Sequence, residues 1–179
     1  MRAVESTVPS ARRDLKVMSL IGTAHFFSHF YILVLPPLFP LLRDEFGVGY
    51  TALGLTLAVL NGITGLTQAP VGFLVDRFGA RYILIAGLAT FALATLLIGV
   101  FPTYPALLAL MVVAGLGNSV FHPADFTLLN RNVSKPRLGH AFSVHGLSGN
   151  IGWAAAPVFM TTIAMATHWR IAALAAAGM

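Results

Sequence analysis

Gly72-Phe-Leu-Val-Asp76-Arg77-Phe-Gly79-Ala80-Arg81-Tyr-Ile-Leu84 sets one carboxylate and two guanidiniums between two long apolar runs. The surrounding chain explains how so polar a loop can sit there. Of its 179 residues 57% are hydrophobic and 9% charged, with a mean hydropathy of +0.82. Such a composition belongs to a polytopic membrane protein. The 17 glycines and 10 prolines fit packed membrane helices, in which small residues allow close approach and neighbouring helices absorb kinks. With no cysteine, disulfides, thiolate metal sites and thiol nucleophiles are excluded. The net charge of +5 does not point to nucleic acid, because the basic residues stand at the ends of apolar segments and form no stripe or patch.

A spanning helix needs about 20 apolar residues. The expected blocks are 17–42, 51–74, 82–101, 104–129 and 138–166, and a sixth over 171–179 is too short to cross, so it reads as truncated. Residues 1–16 read as a polar tail without the pattern of a secretory signal. Lysine and arginine fall nine to two on alternate sides of these blocks, which puts the N-terminus and the Asp76 loop in the cytoplasm, since basic loops stay there.

The Asp76 loop resembles the signature loop of the major facilitator superfamily, Gly-x-Leu-x-Asp-Arg-x-Gly-Arg-Arg/Lys-x-x-Leu, with Ala80 standing at one basic position. Further stretches extend the resemblance. They are Ala24-His25-Phe-Phe-Ser28-His29-Phe, Gly115-Leu-Gly117-Asn118-Ser119-Val-Phe121-His122-Pro123, and Gly139-His140-Ala-Phe-Ser143-Val-His145-Gly146-Leu-Ser148-Gly149-Asn150. Together they are similar to the fosmidomycin-resistance branch of drug exporters. The resemblance implies an all-α membrane protein of the six-helix bundle type, the N-terminal half of a twelve-helix transporter of the cytoplasmic (inner) membrane. Helices one, four and five would line a central cavity, and a C-terminal half of the same protein would complete it. Two features depart from related patterns. Met111 stands where many proton-coupled members carry arginine, and Gly146, Gly149, Gly152 and Pro157 match the exporter fifth-helix pattern only loosely.

Ionisable residues inside the membrane are expensive and point to function. His25, His122, His145 and Asp125 lie at similar depths, about 9 to 13 Å from the cytoplasmic side by helical rise. His25 and His29 are four apart and His122 and Asp125 three apart, so each pair shares a helical face. Histidine titrates near neutral pH, and His122 with Asp125 is the expected proton carrier. Interhelical hydrogen bonding is the plainer role for all five residues, and it is the first expectation for Asn61, Gln68, Asn118 and Asn150. Asn118 and Asn150 are also candidate substrate contacts. His140 and His168 fall near the membrane surface.

The imidazoles and carboxylate are of the kind zinc or iron accepts, but the spacing fixes no coordination geometry, so no metal and no cofactor is expected. No hydrolase elbow, metalloprotease helix or phosphate-cradling loop occurs, so the chain does not read as an enzyme. Gly72, Asp76, Arg77, Gly79 and Arg81 are the expected cytoplasmic gate, with Asp76 and Arg77 latched to Arg81 and the two glycines permitting close approach. The sequence thus points to secondary active transport of a small organic solute by alternating access, coupled to protons and directed outward. Import of a solute or metal chelate, or a non-transporting assembly module, is the alternative.

Overall fold

The computed structural model describes residues 11–179, so the expected tail residues Arg2 and Glu5 lie outside the described residues. Helix α1 (Ala11–Ile32) is followed by a 3-10 turn at Pro36–Leu38, α2 (Phe39–Phe46), α3 (Tyr50–Phe78) and α4 (Ala80–Val100). Then come α5 (Tyr104–Asn118), α6 (Phe121–Asn132), a second 3-10 turn at Lys135–Arg137, α7 (Leu138–Ala166) and α8 (Trp169–Ala177). Among the described residues there is no strand. Among the described residues four helical stretches are long and apolar enough to cross a membrane: Ala11–Phe46, Tyr50–Phe78, Ala80–Val100 and Tyr104–Asn132.

Proline chemistry explains where these stretches break. Proline lacks an N–H and its ring clashes with the carbonyl four residues earlier. Pro70 and Pro157 are carried inside the unbroken α3 and α7, but at Pro123, which removes the bond to Ser119, the fourth apolar block divides into α5 and α6, with Pro123 in the first turn of α6. Pro36, Pro37 and Pro40 likewise end α1 and restart the chain as α2. At the other end α1 begins earlier than the apolar pattern, so residues 11–16 are helix and not tail. Their helical start is held by Asp14. This fully buried carboxylate accepts hydrogen bonds from Ser134 Oγ at 2.5 Å and Arg137 Nη1 at 2.9 Å, pinning α1 to the connection between α6 and α7.

Large apolar side chains such as Leu66, Phe73, Tyr82, Val158 and Met165 face outward. Inside, large side chains such as Phe30, Phe91, Phe121 and Met160 are fully buried, and at the closest helix contacts small residues bring backbones together. α1 lies along α7, and α4 lies against α5 and α8. A Cβ on Gly152 would stand 2.2 Å from the Phe26 carbonyl oxygen, and one on Gly87 would stand 2.8 Å from that of Gly117. Close approach of this kind replaces the hydrophobic driving force that lipid cannot supply. At the end of the bundle opposite the Gly79 turn, Trp169 Nε1 donates to Glu45, and Arg170 Nε donates to the Gly99 carbonyl at 2.9 Å, joining α8 to α2 and α4.

Gly79 has φ +89°, a conformation open to glycine, and it turns the chain from α3 into α4 within one residue. The expected latch takes a different form. Asp76 approaches Arg131 at 3.9 Å, both well exposed, while Arg77 lies over the Phe78 ring at 5.5 Å. Arg81, in the first turn of α4, lines a groove with Lys16 and Leu128 between α1 and α6, and among the described residues no ion pair joins it to Asp76. A Cβ on Gly72 would have no neighbour within 4 Å, so no close approach requires a glycine there.

Candidate functional site

The three helices that carry the intramembrane ionisable residues converge. His25 of α1, Asp125 of α6 and His145 of α7 are all buried, and their side chains form a continuous set. His145 Nε2 lies 3.0 Å from Asp125 Oδ2, and the imidazole of His25 stacks on that of His145 with centroids 3.5 Å apart and planes 19° from parallel. His25 Nδ1 is 2.8 Å from the His145 backbone carbonyl, which can only accept, so the ring proton is on Nδ1 and Nε2 offers a lone pair. That Nε2 is buried and has no hydrogen-bond partner, and the same is true of His29 Nδ1 and Asp125 Oδ1.

His29, one turn along α1, places its ring 4.4 Å from that of His25 and 4.6 Å from Trp153 on α7. His122 is exposed toward the open side of the cluster. Its ring is 5.7 Å from that of His25 and stacked on Phe126, and its Nδ1 is 3.1 Å from the Gln68 side-chain nitrogen on α3. The crowding is made possible by Gly149, where a Cβ would stand 2.8 Å from His25 Cε1 and 3.0 Å from His29 Cε1. A small cavity of about 50 Å³ adjoins the cluster, with His29, Gln68, Asn118 and His122 in its wall. Asn118 donates to Thr64 Oγ1 at 3.2 Å, and Thr64 in turn donates to the Gly115 carbonyl at 3.2 Å, a bridge between α3 and α5.

Five of the residues singled out in the sequence therefore meet, and Asn118 stands beside them. Asn150 does not, since its side chain is exposed and makes no hydrogen bond among the described residues. The pairing also differs from expectation. Asp125 turns toward α7 and meets His145, while His122 turns toward α3 and meets Gln68. Spacing along α6 places His122 and Asp125 on one face but says nothing about which neighbour each side chain meets. Trp153 and Gly149 were missed as site residues, although their place on α7, four residues after His145 for Gly149 and eight for Trp153, was a usable signal. Asp14 gave none, because its partners lie 120 and 123 residues away.

The sequence matches the family model for the Major Facilitator Superfamily over residues 21–179. The chain belongs to that superfamily. The facilitator is thus an integral membrane protein of a family of transporters, not of enzymes. It is 29% identical to the uncharacterized MFS-type transporter YfnC of Bacillus subtilis, over 82% of this chain and 36% of that protein. It is 24% identical to the fosmidomycin resistance protein of Escherichia coli, over 88% of this chain and 39% of the relative. The multidrug resistance protein B homolog of Mycobacterium tuberculosis is 30% identical over 69% of this chain and 22% of its own length. The facilitator chain therefore spans well under half the length of these relatives.

Proposed function

We propose that this facilitator chain is the N-terminal bundle of a secondary active transporter that moves a small organic solute out of the cell by alternating access, driven by protons. The observation that carries the proposal is the buried Asp125–His145 pair, open on one side through the unpartnered Asp125 Oδ1 and continued by the His25 and His29 imidazoles. A carboxylate sharing a site with imidazoles holds one proton without leaving an isolated charge in the membrane. The unpartnered ring nitrogens and the small cavity beside His122 give that proton and a polar solute group a common place to meet. Competition between the two for the same acceptors is the simplest form of antiport.

The cytoplasmic N-terminus follows from the distribution of basic residues, and the Asp76 loop then faces the cytoplasm. There Asp76 and Arg131 form an exposed pair that can break or exchange partners as the cytoplasmic side opens, with Arg77 and Arg81 as alternative cations and Gly79 as the turn that holds them at one level. The C-terminal half of the same protein is the partner that closes the cavity. In proteoliposomes of the full-length protein, solute-dependent proton flux should be lost on Asp125→Asn and shifted in pH dependence on His145→Gln. Flux unchanged in both variants would remove the proton-carrier role.

A further inference from the structure

We infer that His25, His29 and His122 form a binding site for one divalent transition-metal ion of the zinc, cobalt and nickel class. One ligand nitrogen from each of the three rings lies within 4.8 Å of the other two. The lone pair on His25 Nε2 belongs to a residue only 3% exposed and has no partner, and the buried His29 Nδ1 has none either. Two unpartnered ring nitrogens side by side cost free energy in an apolar interior, and a shared cation satisfies both at once.

Geometry separates this triad from its neighbour. With a ring nitrogen about 2.1 Å from Zn²⁺ and about 1.1 Å from its own ring centre, two imidazoles at a tetrahedral angle have centroids about 5.2 Å apart. The His25–His29 and His25–His122 separations of 4.4 and 5.7 Å fall on either side of that value, with ring planes 59° and 46° apart. Tilted planes intersect, so one ion can lie in all of them. The second group, His25, Asp125 and His145, fails this condition. Its two imidazoles are stacked 3.5 Å apart and 19° from parallel, and their in-plane lone pairs cannot meet at one ion.

The outer contacts are those a ligating histidine needs. His25 donates its other N–H to the His145 carbonyl, which fixes Nε2 as the free nitrogen. Gln68 stands 3.1 Å from His122 Nδ1, and turning its amide puts the oxygen there as acceptor and frees His122 Nε2. Ligand nitrogens in a tetrahedral site are about 3.4 Å apart, so small rotations of His29 and His122 close the set. His122 is exposed toward the open side of the cluster, which supplies the entry path and leaves the fourth position to water or to a chelating solute.

The test uses untagged full-length protein in nanodiscs of zwitterionic lipid, titrated with Zn²⁺ alone and with Co²⁺ alone. The expected result is saturable binding of one ion per chain, tetrahedral Co²⁺ absorption, and X-ray absorption at the zinc edge showing three imidazole nitrogens. Affinity should fall by more than about tenfold in His29→Ala and in His122→Ala, and stay unchanged in the His140→Ala, His168→Ala double variant. The edge spectrum of the unmodified protein decides the matter even if a variant folds poorly. No saturable binding, an all-oxygen shell, or loss of binding only in the surface double variant would overturn the site, and so would a spectrum with one imidazole and a carboxylate.

Discussion

Replacing Gly152 with alanine tests whether backbone contact between α1 and α7 sets the geometry of the cluster. The added Cβ would stand 2.2 Å from the Phe26 carbonyl oxygen, 3.1 Å from its carbon and 3.2 Å from Phe30 N, all main-chain atoms that no rotamer change can move aside. An ordinary contact is near 3.4 Å, so the helices must part by about 1 Å at this level, and overpacking of that kind costs about 1–3 kcal/mol. The oxygen contact is the most severe, which puts the cost at the upper end. Alanine returns about 0.8–1 kcal/mol of helix propensity, so the net loss is about 2 kcal/mol, a drop of roughly 30-fold in the folding equilibrium constant. The matched control is Gly146→Ala on the same helix, where nothing lies within 4 Å and propensity alone should stabilise by up to about 1 kcal/mol. Reversible unfolding of both variants in mixed micelles, followed by circular dichroism, gives the difference directly. Equal stability of the two variants would show that α1 and α7 do not approach as closely as described.

Gly79→Ala forces a side chain into φ +89°, with an expected cost of about 1–3 kcal/mol in the same unfolding assay and weakened coupling between α3 and α4. Asp14→Ala removes the acceptor for Ser134 and Arg137, and should lower the thermal midpoint and increase protease cleavage between α6 and α7, whereas Arg137→Ala should do less because its side chain is partly exposed. Asp125→Asn should keep the fold, because an amide oxygen still accepts from His145, while abolishing solute-dependent proton flux; a flux that survives would assign the pair to packing alone. Gly149→Ala should disturb the His25 and His29 rings without breaking main-chain contacts, so its stability loss should be smaller than that of Gly152→Ala.

The all-helical membrane fold and its superfamily were legible because lipid imposes them: apolar blocks of spanning length and a charged loop between two of them leave few alternatives. The membership of the histidine cluster was legible for a related reason, since an ionisable group within such a block stands out against its surroundings. Partner choice was not legible. The three-residue spacing of His122 and Asp125 describes one helix, while the direction each side chain takes is decided by α3 and α7, whose positions no local pattern encodes. The same limit hid Asp14, which looks like one more charge in a polar run until the connection at Ser134 and Arg137 folds over it. Pro123 carried the break between α5 and α6 in plain view, but local chemistry alone left open whether the helix would kink or stop.

Helix α7 is 29 residues long, yet its glycine, serine, asparagine and histidine residues leave it outside the stretches apolar enough to cross a membrane by composition. The face that carries His145, Gly149 and Gly152 is the one that α1 covers, and α1 leaves the ribosome more than 100 residues earlier. α7 is therefore made when the α1 face it packs against is already in place. The close fit around Gly152 is thus completed late in synthesis, and a defect there should appear as α7 docking poorly onto a bundle whose earlier helices are already made.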